Sequence, residues 1–234
     1  MKSALELLPR LSTNRWFGAL PVRERRSLLG AAELLRLRPG EMLFRQGDRV
    51  PAGKGAFYGL AAGRLKISSL REDGKEAILA VLEAGNWFGE ISLIDQQPRT
   101  HDATAVAQAE VLAVPRAVFD DLMKRHVFSQ AICRMLAART RALYGMVEDA
   151  TLRSTRTRVA RRLLLLARGD ATQAADARTT VPVSQEALAM MLGITRQTLS
   201  RELQALAGHG AISLGYRRIG VESAVLLERL GAGQ

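Results

Sequence analysis

Apolar and polar positions change their rhythm several times along the 234-residue chain. Residues 22–31 (VRERRSLLGA) carry apolar residues at helical spacing and predict a short helix. From Leu34 to Pro115 the pattern breaks into short β-prone runs: MLF (42–44), AFYGLA (56–61), RLKISSL (64–70), AILAVL (77–82) and EVLAV (110–114). Turn residues cut these runs at Pro39-Gly40, Gly47-Asp48, Gly53, Gly63, Asp73-Gly74, Gly85-Asn86 and Gln97-Pro98. Short strands punctuated in this way predict an antiparallel barrel or roll. No strand–helix alternation accompanies them, which argues against a parallel dinucleotide-binding sheet.

Helical spacing returns at Pro115, first in a short segment (115–124) and then in a long one from about Val127 to Ala150, where Gly145 is the one weak helix former. Ile132, Leu136, Arg139, Leu143, Met146 and Ala150 recur in it at alternating intervals of four and three, a heptad-like seam. Such a seam fits a helix lying on the barrel or a helix pairing with a second copy. In the second case Ile132, Leu136, Leu143 and Met146 are the dimerisation residues. Residues 150–157 (ATLRSTRT) read as a hinge, with Ser154 or Thr155 capping the next helix, and the small polar stretch 169–180 reads as a loop. The fold class expected is α+β, in three parts: a β-roll with flanking helices (1–126), a long helix with its hinge (127–153) and a helical C-terminal domain (154–234).

Charge narrows the function. The chain carries a formal net charge of +11, and residues 151–234 hold 12 Arg and no Lys against 6 Asp and Glu. A basic, arginine-only segment points to an anionic partner, and arginine suits bidentate contact with phosphate and guanine. A membrane surface is the lesser fit, because the chain has no 18-residue apolar stretch and no basic amphipathic helix. The single cysteine, Cys133, excludes an internal disulfide framework and a four-cysteine metal or iron–sulfur site within one chain. The three histidines show no metal-ligand spacing, so no metal site is expected. No nucleophile–base pair or P-loop suggests an enzyme. The N-terminus (MKSALELLPRLSTNR) lacks the apolar run of a signal peptide, so a cytoplasmic protein is expected.

Residues 183–207 hold the most specific local pattern. Ser184 precedes QEALAMML as an N-cap; the small Ala189 stands four residues before Gly193; Thr195 caps RQTLSRELQAL. A small residue lets two helices cross closely, and glycine permits the tight turn between them. Ile194, Leu199 and Leu203 then lock the second helix onto the first. This is a helix-turn-helix pattern that leaves Thr195, Arg196, Gln197, Ser200 and Arg201 to face DNA. AISL (211–214), Gly215-Tyr216 and RRIGV (217–221) follow as a β-hairpin wing, with Arg217 and Arg218 placed for phosphate contacts. The alternative reading, a module that docks protein through this domain, is separated from it by salt-dependent duplex binding.

Residues 85–105 (GNWFGEISLIDQQPRTHDATA) set a glycine beside a glutamate and an arginine nine residues later. The run resembles the phosphate-binding cassette of cyclic-nucleotide-binding domains. With RPGEMLFRQGD (38–48), FYGLAAGRLKIS (57–68), TRVARRLLLLA (157–167) and the winged helix-turn-helix, the chain from about residue 20 to 225 resembles the family of the cyclic AMP receptor protein and the fumarate–nitrate reductase regulator. The resemblance implies an N-terminal antiparallel β-roll, a long dimerisation helix and a C-terminal winged helix-turn-helix. It implies a homodimer on paired DNA half-sites, and RNA polymerase as a further partner if the protein activates transcription. By resemblance Glu90 would bind a ribose hydroxyl, and Arg99 and Thr100 the cyclic phosphate, aided by backbone amides near Gly89 and Ser92. Two positions depart from the family. His101-Asp102 stand where small or neutral residues are usual, and Leu143-Tyr144 stand where cyclic AMP receptors carry a Thr-Ser pair that recognises adenine. The effector therefore stays open: a cyclic nucleotide, another ligand, or none, with the cassette kept as a structural corner and Arg99 tied to a carboxylate. An iron–sulfur cluster is disfavoured because the N-terminal cysteines of that branch are missing, and haem would have to use His101 or His126.

Overall fold

A computed structural model describes residues 4–51, 53, 55–168, 179–216 and 218–232. They divide into two compact units, and the division falls inside the long helix between Ala137 and Ala138.

The first unit opens with a 3-10 turn (Ala4–Leu7) and three helices: α1 (Leu8–Leu11), α2 (Arg15–Ala19) and α3 (Val22–Ala31). The Asn14 side chain caps α2 by accepting from the Trp16 and Phe17 amides. Eight strands follow: β1 (Glu33–Leu37), β2 (Met42–Phe44), β3 (Ala56–Ala62), β4 (Arg64–Leu70), β5 (Glu76–Glu83), β6 (Trp87–Phe88), β7 (Asp102–Ala105) and β8 (Ala109–Pro115). A short helix, α4 (Ile91–Ile94), interrupts them between β6 and β7. They form two antiparallel four-stranded sheets, ordered β1-β8-β3-β6 and β2-β7-β4-β5. This is the expected β-roll. The roll's interior holds Leu37, Leu60, Leu65, Leu82, Phe88 and Val111. A second core lies where the helices pack on the first sheet. In it Phe17 stacks on Trp87 at 5.2 Å, Trp16 meets Phe57 edge-on, and Phe119 meets Phe128.

Pro115 ends β8, and α5 (Arg116–Met123) leads into α6 (His126–Leu152). The Trp16 indole N–H donates to the Ala131 carbonyl at 2.9 Å and fastens α2 to the start of α6. Ile132 requires a correction. It is 1% exposed inside its own chain's core, so it cannot belong to a seam that meets a second copy. Leu136 is half-buried against the same core, and Met146 is half-buried. Leu143 (58% exposed), Tyr144 (72%) and Val147 are open. The hinge is also shorter than the sequence suggests, because α6 continues through Leu152 and the next helix begins at Thr155.

In the second unit α7 (Thr155–Ala167) is capped by Ser154, whose hydroxyl accepts from the Thr157 amide. Strand β9 (Thr180–Val181), helices α8 (Gln185–Leu192) and α9 (Arg196–Gly208), strands β10 (Ile212–Gly215) and β11 (Arg218–Val221), and α10 (Ala224–Ala232) complete it. The strands form an antiparallel sheet in the order β10-β11-β9, in which β9 is an addition to the predicted wing. Val159, Leu163, Leu188, Leu199, Leu203, Leu206, Ile219 and Leu227 build the core. Most of the expected 169–180 loop lies outside the described residues.

Candidate effector site and nucleic-acid interface

The cassette is built where β6 ends. Gly89 follows Phe88 with φ +90°, a conformation that L side chains avoid. A Cβ there would lie 2.9 Å from Tyr58 Cδ2, 3.3 Å from Arg99 Nη1 and 3.4 Å from the Ala56 carbonyl oxygen. Glu90 is buried and takes the N-cap position of α4. Ser92 is buried, its hydroxyl donating to the Pro98 carbonyl at 3.3 Å. Arg99 is 6% exposed and its Nη1 donates to the Gly89 carbonyl at 3.0 Å. Its guanidinium lies 4.4 Å over the Phe44 ring and 5.5 Å from that of Tyr58, a cation–π arrangement. Gly89, Glu90, Ser92 and Arg99 thus share one corner of the roll, while Thr100 is exposed beside them.

Electrostatics set Arg99 apart. Burial lowers its pKa, opposed by Tyr58, which also hydrogen-bonds it, and by Glu90 and Asp48 through space. The hydrogen bond shown for its guanidinium goes to a neutral group, the Gly89 peptide carbonyl, while the Glu90 and Asp48 carboxylates act on it through space. Burial raises the Tyr58 pKa against the lowering influence of Arg99. His101 is pushed down by burial, against the raising effect of Asp102, so its neutral form is favoured at neutral pH. His126 is exposed at the start of α6. Among the described residues no group of three or more His, Cys, Asp or Glu could hold a metal. Tyr58 and Phe44 lie in runs that carry the family resemblance, 57–68 and 38–48, but their contact with Arg99 is tertiary and the sequence does not assign it.

The helix-turn-helix forms from the expected residues. Ser184 caps α8 through the Ala187 amide, and Gly193, at φ +64°, ends α8 with its N–H on the Ala189 carbonyl. Thr195 caps α9 by accepting from the Thr198 amide, so its hydroxyl already has structural work. Leu199 and Leu203 are fully buried, and Ile194 packs against the same core. Arg196, Gln197 and Arg201 are exposed on α9 and Ser200 is half-buried. Gln204, one turn after Ser200, is exposed too and was not singled out by sequence pattern. Arg218 is exposed at the start of β11, paired with Gly215. Arg217 lies outside the described residues.

Residues 34–126 match the family described as the cyclic nucleotide-binding domain, and residues 157–230 match the Crp-like helix-turn-helix domain. The chain is 34% identical, over 85% of its length and 88% of the relative's, to the cyclic AMP receptor protein of Thermus thermophilus. It is 30% identical to a CRP-like cAMP-activated global transcriptional regulator of Mycobacterium tuberculosis, over 81% of this chain and 84% of that one. The solved structure of FixK2 from Bradyrhizobium japonicum shares the fold, with a TM-score of 0.72 at 23% identity, covering 85% of this chain and 96% of that chain.

Proposed function

The chain belongs to the family of the cyclic AMP receptor protein and the fumarate–nitrate reductase regulator, DNA-binding regulators of transcription, and on that premise we propose that a cyclic nucleotide held at Arg99 and Glu90 sets how tightly a dimer of this chain binds duplex DNA. The observation that carries the proposal is the buried Arg99 guanidinium, hydrogen-bonded to the neutral Gly89 carbonyl beside the buried Glu90. A cyclic phosphodiester would bring an anion into direct contact with this cation, and charge-assisted hydrogen bonds are about twice as strong as neutral ones. Glu90 is the acceptor for a ribose hydroxyl. Gly89, with no side chain and φ +90°, keeps Arg99 and the strand end close together. The names of the Thermus and Mycobacterium relatives make cyclic AMP the first ligand to test. With Leu143-Tyr144 in place of a hydroxyl pair, phosphate and ribose carry most of the binding, so cyclic AMP and cyclic GMP bind with similar affinity.

The dimer forms through the open face of α6, with Leu143, Tyr144 and Val147 at its centre and Leu136 and Met146 at its margins. Pairing there presents two α9 helices to half-sites about 34 Å apart. Arg196, Gln197, Ser200 and Arg201 read bases, while Arg217 and Arg218 hold phosphate. RNA polymerase is the further partner where the bound dimer activates transcription.

Calorimetric titration of the full-length protein with cyclic AMP, cyclic GMP and cyclic di-GMP, with an absorption spectrum to test for haem, decides the matter. Heat is expected with the first two and is lost in Arg99→Leu. Arg99→Lys keeps the charge, loses the planar fork and binds more weakly. Wild-type protein that binds duplex DNA tightly and gives no heat with any of the three would overturn the effector assignment and leave the DNA-binding role standing.

A further inference from the structure

The recognition helix carries a charge where its core calls for an apolar side chain. Glu202 is 6% exposed and shares the inner face of α9 with Leu199, Leu203 and Leu206. Burying a carboxylate there is unfavourable unless it is paired and hydrogen-bonded. It is paired twice, once by each oxygen. Oε2 accepts from Arg156 Nε at 3.0 Å, and Arg156 stands in the first turn of α7. Oε1 accepts from both Nε and Nη2 of Arg201, at 3.3 and 3.2 Å. Arg201 itself is 75% exposed.

A guanidinium has five N–H donors arranged on two usable edges. Glu202 takes the edge that includes Nε of Arg201. The remaining edge, Nη1 with the outer hydrogen of Nη2, is the pair that matches O6 and N7 of guanine in the major groove. The carboxylate cannot easily turn away from Arg201, because its other oxygen is held from α7. An exposed arginine has many rotamers, and ordering one on binding DNA is unfavourable in side-chain entropy. Part of that ordering is already done in the free protein.

We propose that Glu202, anchored by Arg156, is a positioning residue that presets Arg201 to read one guanine in each half-site. This rests on the reading of α9 as the helix that faces the bases. Glu202 touches no DNA. It fixes which edge of Arg201 meets the base, and its own buried charge is balanced by Arg156 and Arg201. Fixing the arginine chiefly sharpens discrimination at one base pair, since phosphate contacts, which give most of the affinity, remain on other residues.

The test uses the full-length protein, with and without cyclic AMP, and selection of bound duplexes from a random-sequence pool. The wild type, Glu202→Gln, Arg156→Gln and Arg201→Ala are compared position by position, along with affinity for an unrelated duplex at several salt concentrations. Glu202→Gln is expected to lose roughly ten-fold in preference for a single guanine per half-site, the same position that Arg201→Ala erases. The other positions keep their preferences, and affinity for the unrelated duplex stays equal or rises. Arg156→Gln, whose side chain is half exposed, keeps the fold should Glu202→Gln fail to, and shows a smaller loss at the same base pair. A selection profile in Glu202→Gln or Arg156→Gln that matches the wild type, while Arg201→Ala loses its guanine, overturns the positioning role. A profile unchanged in Arg201→Ala would instead overturn the reading of α9 at that residue, and a wild type that enriches no sequence would overturn sequence readout as a whole.

Discussion

Replacing Gly89 with Ala separates two penalties that the cassette glycine imposes. The first is backbone strain: at φ +90° an L side chain costs about 1–2 kcal/mol relative to glycine. The second is overlap, since the new Cβ would sit 2.9 Å from a ring carbon of Tyr58, 3.3 Å from Arg99 Nη1 and 3.4 Å from the Ala56 backbone oxygen. The first and last of these do not yield easily, for Tyr58 is stacked on Phe88 at 5.5 Å and Ala56 belongs to the central strand β3. Overpacking of this kind adds about 1–3 kcal/mol. Gly40 supplies the control, with φ +82° and nothing within 4 Å of its hypothetical Cβ. Gly40→Ala should therefore show the backbone penalty alone. Both tryptophans, Trp16 and Trp87, lie in the core of the N-terminal unit, so urea unfolding followed by tryptophan fluorescence reports on that unit. Gly89→Ala should lower its stability by about 2–5 kcal/mol and Gly40→Ala by about 1–2 kcal/mol. At roughly 3–4 °C per kcal/mol for a unit of this size, the two variants differ by several degrees in melting temperature. Equal losses in the two variants would refute the packing argument and with it the close seating of Gly89 against Arg99.

Three further outcomes are expected. Leu143→Glu combined with Val147→Glu, both on the open face of α6, should give a monomer by light scattering with an unchanged tryptophan spectrum, whereas Ile132→Glu should unfold the N-terminal unit. Thr195→Ala removes the cap of α9 and should cost about 1 kcal/mol in unfolding followed by circular dichroism, with Thr195→Ser restoring it. His101 has its folded pKa below the unfolded value, so its contribution to stability is present above about pH 6.5 and is lost as pH falls through the folded pKa; His101→Gln should flatten the loss of stability measured between pH 7.5 and pH 5.

Much of this architecture is legible in the order of residues, and the omissions have physical causes. Helix α3 and strands β2 and β4 fall on the residues whose spacing predicts them, because each carries its own period. Strand β7, Asp102–Ala105, has little intrinsic strand preference and exists because β2 and β4 pair with it on either side. The heptad in α6 shows apolar spacing, yet spacing does not say what covers each position. Ile132 is covered by its own chain's aromatic core, whereas Leu143 stays 58% exposed. The helix runs past residue 150 because its backbone ladder does, with the Arg153 amide still donating to the Asp149 carbonyl. The cassette residues Gly89, Glu90, Ser92 and Arg99 were visible as a motif. Phe44 and Tyr58 meet Arg99, and Glu202 meets Arg156, across distant segments, contacts that no local pattern encodes.

The His101-Asp102 departure has a structural explanation that bears on the effector. The Asp102 carboxylate accepts the Gln46 amide at 2.7 Å, and the Gln46 side chain accepts the Ser69 hydroxyl at 2.8 Å. The same turn grips the backbone of Arg99, whose carbonyl accepts from Gly47 and whose amide donates to Asp48. Asp102 therefore fastens the 45–48 turn, and the turn fixes where Arg99 begins. A charge placed there steadies Arg99 from behind and, on the proposed effector reading, need not meet the ligand. A ligand changes a conformational equilibrium only by contacts that differ between the two states. With the Arg99 backbone already fixed, the proposed phosphate would gain its differential contact at the guanidinium, where the nearby Tyr58 phenol would compete with it. Tyr58 stacks on Phe88, which immediately precedes Gly89 and Glu90. On this reasoning Tyr58→Phe, which removes the competing phenol and keeps the stack, should bind cyclic AMP more tightly in calorimetry and bind DNA at lower cyclic AMP concentrations. Tyr58→Phe protein with unchanged or weaker affinity would show that the phenol does not compete with the phosphate for Arg99.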